Sequence, residues 1–281
     1  MSIRYDGEII TSRQNRRIVE LCKLDDRRAR EKTRRFRFDG VKLFCEAIRR
    51  GVPLCELYLR VGTAGKVADR MTELYGYTPA DARCPIFGVE DELFDRISEE
   101  NAPEGVICVA NYIDKCHKMN TIYNQEDGIL SDSSPVILLE SVRDPLNVGA
   151  IIRSAAALGV GCLVLSADCA DIYHPRTVRA AMGPLFSMPI IRVDDLPEAI
   201  RTLRGAGRTV YAAALDEGAA RLGEITPPRC SGAVIGNEGH GLSPATIAAC
   251  DRSVYIPMQA ETESLNAGVA AALIMWELCK S

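Results

Sequence analysis

The sequence predicts an α/β chain: a C-terminal, mostly parallel sheet with helices on both faces, preceded by a smaller α/β domain. The first observation is a set of short, almost wholly apolar runs: Val136–Leu139, Cys162–Ser166, Val210–Ala214, Ala233–Gly236 and Ser253–Ile256. Runs of that length without alternation read as strands covered on both faces. The second is that helical segments separate them: Val148–Leu158, His174–Met182, Asp195–Leu203, Pro244–Ala249 and Ser264–Leu278. The third is size. A chain of 281 residues, 47% hydrophobic and 26% charged, suits one large or two modest domains with a real core.

In chain order, polar and basic residues surround Ile18, Val19, Leu21 and Leu24, which predicts a helix over residues 11–33. Strand-like and helix-like stretches then alternate: Phe36–Phe38, Val41–Arg50, Leu54–Leu59, Ala64–Tyr75, Glu90–Arg96 and Gly105–Ala110. From Asp114 to Ser134 the chain turns polar and loses periodicity, as a linker does. The expected organisation is therefore a first domain over residues 1–112, a linker over 113–134 and a second domain over 135–281.

No apolar run approaches the roughly 18–20 residues that span a bilayer, and MSIRYDGEIITSRQNRR lacks the apolar core of a signal peptide. The eleven cysteines form no C-x-x-C pair, and His117, His174 and His240 do not gather around them. That pattern predicts reduced thiols in a cytoplasmic protein and no metal site. The net charge of −4 is unevenly distributed: residues 1–60 hold 16 Lys/Arg against 9 Asp/Glu. Arg27, Arg28, Arg30, Lys32, Arg34, Arg35 and Arg37 fall within eleven positions. Such a run is either a solvated helix face or a phosphate-binding patch, and on an acidic protein it favours RNA contact by the arginines.

Three strand-end motifs carry the chemistry, because ligands of parallel sheets sit beyond the carboxyl ends of strands. Asp144-Pro145-Leu146-Asn147-Val148-Gly149-Ala150-Ile151-Ile152-Arg153 follows the first apolar run, with Asn147 as the expected helix N-cap. Arg153 then lies on an otherwise apolar helix, either as a surface side chain or as a cation held for an anion. Gly236-Asn237-Glu238-Gly239-His240-Gly241-Leu242-Ser243-Pro244 is a glycine-rich loop ahead of a capped helix. It is neither a G-x-G-x-x-G fingerprint nor a phosphate loop. Ile256-Pro257-Met258 precedes Ser264-Leu265-Asn266-Ala267-Gly268, with Ser264 as the expected cap of a long apolar helix. The glycine pair Gly159–Gly161 precedes a strand instead of following it, unlike the loop of a class I methyltransferase.

In order, spacing and strand context these motifs resemble the TrmH/SpoU branch of the SPOUT RNA methyltransferases, over Pro135 to the C-terminus. The resemblance implies a parallel sheet closed by a deep trefoil knot, S-adenosylmethionine as cofactor, and methyl transfer to a ribose 2′-hydroxyl of structured RNA. It carries Asn147, Arg153, Glu238, Ser264 and Asn266 as catalytic residues, and Gly236, Ile256 and Leu265 as main-chain cofactor contacts. Gly268 departs from it, since many members have a small polar residue there. The stretch from Arg34 to Leu59 is similar to the small α/β substrate-binding domain of many members, itself similar to RNA-binding ribosomal proteins.

The implied partners are RNA, ribosomal in preference to transfer RNA, and a second copy of the chain, with no membrane. The apolar helix bearing Trp276 is the expected dimer face. Arg153 is expected to stabilise developing alkoxide and orient the neighbouring phosphate, because a guanidinium is a reluctant base. Glu238 is expected to anchor loop amides or pair with Arg153. The alternatives are a transfer RNA methyltransferase, or an assembly factor on the same fold that has lost turnover.

Overall fold

A computed structural model describes residues 3–113, 134–259 and 264–280. The expected linker over 113–134 lies almost wholly outside the described residues. The chain divides into two compact units, Met1–Ile113 with Tyr173–Ser187, and Asp114–Ile172 with Met188–Ser281.

The first unit opens with α1 (Arg16–Lys23) and α2 (Arg27–Thr33) where the sequence predicts one helix. Two adjacent aspartates break it: Asp26 accepts the Ala29 N–H at 3.3 Å and so caps a new helix. The carbonyls left open at the end of α1 are met from inside, by Arg30 Nη1 donating to Leu24 O at 2.7 Å and Asp25 O at 2.9 Å. There follow β1 (Arg35–Asp39), α3 (Val41–Arg49), β2 (Leu54–Arg60), α4 (Ala64–Tyr75), β3 (Ile86–Val89), α5 (Asp91–Ile97) and β4 (Val106–Asn111). The sheet order is β1-β4-β2-β3, with β4 antiparallel to both neighbours and β2 parallel to β3. Ile18, Leu21, Tyr58, Phe87, Phe94 and Ile107 fill a core beneath α1 and α5.

The second unit runs β5 (Val136–Leu139), α6 (Pro145–Leu158) and β6 (Cys162–Ser166). The chain then lends α7 (Pro175–Ala181) to the first unit, where it packs on β1. It resumes with β7 (Ile190–Val193), α8 (Leu196–Gly205), β8 (Val210–Ala213), β9 (Ala220–Arg221), β10 (Gly232–Ile235), α9 (Pro244–Ala249), β11 (Arg252–Tyr255) and α10 (Ala267–Cys279). The seven strands lie in the order β7-β6-β5-β10-β8-β11-β9, and every pairing is parallel. β3, β7 and β9 have no counterpart among the strands expected from sequence. Each is short, and β9 has only two residues, too few for any periodicity to register.

Two expected caps are corrected. Asp144, not Asn147, caps α6, accepting the Leu146 N–H at 2.9 Å, and Pro145 takes the first helical position, where its missing N–H costs nothing. Asn266, not Ser264, caps α10, its Oδ1 accepting from Gly268 N at 2.9 Å and Val269 N at 3.3 Å. Among the described residues no helix is long and apolar enough to cross a membrane.

Candidate active site

The sheet order sets the site. It lays the ends of β10, β8 and β11 side by side, so the chain segments leaving those strands meet around one hollow of 340 Å³. Gly236, Glu238 and Gly241 come from the loop after β10, Ala214 and Leu215 from that after β8, and Ile256 and Met258 from that after β11. Ser264, Leu265 and Ala267 close it from the start of α10. The wall is mostly apolar, and Glu238 carries the single charge among the described residues that line it. A volume in the range of small-molecule pockets (about 300–1,000 Å³), an apolar wall and exposed main chain suit a nucleoside-sized ligand. One carboxylate at the rim suits a cationic one.

All three main-chain positions expected to hold the cofactor, Gly236, Ile256 and Leu265, line this hollow. Gly236 must be glycine for a reason the sequence did not reveal. A Cβ there would lie 2.5 Å from the Gly241 carbonyl carbon, so it would strike the loop's own backbone.

The three motifs meet in one hydrogen-bond chain. Buried Asn147 donates through Nδ2 to Glu238 Oε1 at 2.6 Å, and its Oδ1 accepts from Asn266 Nδ2 at 2.8 Å. Asn147 thus spends both ends of its amide on side chains 91 and 119 positions away. Glu238 was expected to hold loop amides or Arg153, and instead receives Asn147. The loop amides belong to Asn237, whose Oδ1 accepts from Gly239 N at 2.8 Å and His240 N at 3.2 Å. The signal for Asn237 lies in the sequence itself, since an asparagine among glycines marks a side chain closing its own turn. Gly268 packs between Asn266 Oδ1 and Ala150 Cβ, where a Cβ would find atoms at 3.2 and 3.4 Å. Close packing of α10 on α6 accounts for the glycine.

Arg153 stands apart. It is exposed and does not line the hollow. Six residues past Asn147 it lies about 120° around α6, so a helix that seats Asn147 against Glu238 turns Arg153 outward. Ser264 lines the hollow but is exposed.

A second polar cluster flanks the first motif. Asp168 accepts from Ser141 Oγ at 2.6 Å and Ser166 Oγ at 2.7 Å, with Arg143 at 3.3 Å. The two hydroxyls, then the guanidinium, hold its carboxyl down to about 2, so it stays ionised. By contrast, burial pushes the Cys162 and Cys250 thiols up to about 12, which leaves both protonated and inert.

The basic cluster of the first unit divides in two. Arg27, Arg28, Arg34 and Arg35 are exposed, Arg27 paired with Glu31 and Arg34 lying 4.7 Å from the Tyr112 ring centre. Arg30 and Arg37 are each only 1% exposed. Their expected contact with RNA is corrected: Arg30 closes the end of α1, and Arg37 donates to Ile97 O at 2.6 Å, so neither guanidinium faces a ligand.

Comparison with known proteins identifies relatives of both parts of the chain. Residues 134–276 match the SpoU rRNA Methylase family, and residues 15–108 match the MRM3-like substrate binding domain. The chain is 29% identical over 271 residues to the 23S rRNA (guanosine(2553)-2′-O)-methyltransferase RlmP of Bacillus subtilis (strain 168), covering 96% of this chain and 98% of that one. It is 30% identical over 276 residues to the 23S rRNA (uridine(2479)-2′-O)-methyltransferase of Streptomyces viridochromogenes, covering 95% and 90%. The solved structure of an AdoMet-bound rRNA methyltransferase from Sinorhizobium meliloti superposes with a TM-score of 0.80 at 26% identity, covering 97% of each chain.

Proposed function

The chain belongs to the SpoU family of S-adenosylmethionine-dependent RNA 2′-O-ribose methyltransferases, and from that premise we propose that its substrate is the large ribosomal RNA. Two relatives named for 23S rRNA, matched along nearly their whole length, support the RNA class. One is named for a guanosine and the other for a uridine. Reduced thiols and this substrate fit a cytoplasmic enzyme.

The observation that carries the reading of the site is the Glu238–Asn147–Asn266 chain beside the hollow. S-adenosylmethionine supplies a methyl group on a positively charged sulfur, an electrophile that needs no further activation. Main chain at Gly236, Ile256 and Leu265, which line the hollow, would hold it, with Ser264 beside them. Asn147 and Asn266 lock the glycine-rich loop to α6 and α10, so the nucleophile and the hollow keep a fixed relation. Arg153 orients the substrate phosphate and stabilises charge developing on the ribose oxygen, while that phosphate or water takes the proton.

Because Asn147 and Arg153 face different ways on α6, a complete site takes Arg153 from a second copy. The face for that copy is apolar and exposed: Leu146 at the start of α6, with Val269, Leu273 and Trp276 at helical spacing on α10. Trp276 is 60% exposed. Sedimentation at micromolar concentration should give a dimer, and Leu273→Glu should give an inactive monomer. The exposed arginines Arg27, Arg28, Arg34 and Arg35 contact phosphates of the RNA.

The substrate is tested by mapping 2′-O-methyl sites in a deletion strain. Loss of one site in large ribosomal RNA, restored by the wild-type gene, is the expected result. Loss confined to a transfer RNA would overturn the substrate. Unchanged methylation in every RNA would return the protein to a role in assembly.

A further inference from the structure

The strand leading into the first motif ends on a carboxylate that none of these roles uses. Glu140 directly follows β5, and its main-chain N–H donates to Ile235 O at 2.9 Å, which seats it beside the end of β10. Its side chain serves a different part of the chain. Oε2 accepts the Ser243 N–H at 2.9 Å, and Oε1 accepts the Ser243 hydroxyl at 2.7 Å and the Thr246 hydroxyl at 2.7 Å. Thr246 is fully buried. The carboxylate therefore holds the point where the glycine-rich loop runs into α9.

The other end of that loop is held by the next residue. Asn237 Nδ2 donates to Ser141 O at 2.8 Å, and Ser141 has a left-handed backbone, φ 55°, which few side chains adopt without cause. Between the two ties the loop pinches shut, Asn237 and Gly241 exchanging N–H···O bonds of 3.1 and 2.9 Å. Glu140 and Ser141 thus grip both ends of the segment that supplies Glu238, Gly239 and Gly241 to the hollow.

We infer that Glu140 is a positioning residue for the cofactor, its triply bonded carboxylate fixing the loop whose main chain shapes the hollow. The inference rests on reading that hollow as the S-adenosylmethionine site. A carboxylate is what the place demands: three donors converge there, and its two oxygens accept all of them. Glutamine would offer one good acceptor and turn an NH₂ toward a donor, leaving that donor unpaired.

The test uses the full-length protein and S-adenosylhomocysteine in calorimetry, with hydrogen exchange and thermal unfolding alongside. Wild type binds, and Gly236→Val should abolish binding by forcing the loop off its own backbone. Glu140→Gln should weaken binding about tenfold, the loss expected for a hydrogen bond to a charged group. It should raise KM for the cofactor while kcat at saturation falls less than threefold. Faster exchange should be confined to residues 236–243 and reversed by the ligand, which a general loss of stability would not produce. Thr246→Val should act in the same direction more weakly, and decides on the same readouts if Glu140→Gln does not fold. Unchanged binding by Gly236→Val would sink the reading of the hollow. Lost binding there, with Glu140→Gln within twofold of wild type or exchanging faster throughout the unit, would overturn the role of Glu140 alone.

Discussion

Arg37 and Asn147 are both buried polar residues, one in each unit, and they are satisfied in opposite ways. Arg37 makes one short bond, to Ile97 O, while its Nε stops 3.5 Å from Asp25, its Nη2 3.7 Å from Asp39, and its Nε and Nη1 have no hydrogen-bond partner. Asn147 is neutral and uses both amide atoms within 2.8 Å. The first arrangement staples a small domain together, and removing it leaves the Asp39 carboxyl, 5% exposed, buried without a counter-charge. The second adds little to a large apolar sheet but fixes three segments relative to one another, which is what a catalytic geometry requires.

That contrast is open to attack at several points, taken here from the largest effect downward. Arg153→Ala should cut turnover about 10²–10³-fold, the scale of a lost transition-state donor, with S-adenosylhomocysteine affinity within about threefold. A survival of near-wild-type turnover would remove Arg153 from the site. Asn147→Leu should lower turnover about a hundredfold while costing only about 1–2 kcal/mol of stability. Arg37→Met should do the reverse, costing about 3 kcal/mol with kcat at saturating RNA unchanged within threefold. Denaturant melts and single-turnover rates on the two variants would erase the distinction if both lost the same quantity.

Acid should separate the units next. The folded Asp168 carboxyl lies near 2, below its ordinary 3.8. Its stabilisation is therefore complete above about pH 4 and lost as pH falls toward 2. Burial moves Asp39 the other way, so its contribution is present in acid and lost as pH rises through its elevated value. Exchange protection around Ser141–Arg143 should fail between pH 4 and 2 in wild type, and Asp168→Asn should abolish that step. The smallest effect belongs to the exposed arginines. Arg28→Ala and Arg35→Ala should each reduce the salt dependence of RNA binding by about one unit of slope, and Arg30→Met should leave the slope unchanged.

How far the sequence reached depended on how local each signal is. Strands β5 and β6 and helix α9 are legible to the residue because unbroken apolar runs, a proline at N1 and a capping serine act within a few positions. Two of the six arginines in the basic run, Arg30 and Arg37, serve the fold and not a ligand. Composition counts charges without reporting that Arg30 turns back on the carbonyls of α1 or that Arg37 faces Ile97 O. The caps were misplaced for a related reason: asparagine is an equally good cap and core hydrogen-bonder, and Pro145 decided between Asp144 and Asn147.

Alone, the sequence determined the bounds of β5 and β6 and which loops are rich in glycine, because short-range propensity and period encode those features. Tertiary structure alone decided that Glu238, Asn147 and Asn266 touch, that Glu140 reaches Ser243, and that Arg153 faces away from all of them. Those contacts span about a hundred residues and follow from the strand order β5-β10-β8-β11. Non-local pairing of that kind comes from packing the whole sheet, and no window along the chain contains it.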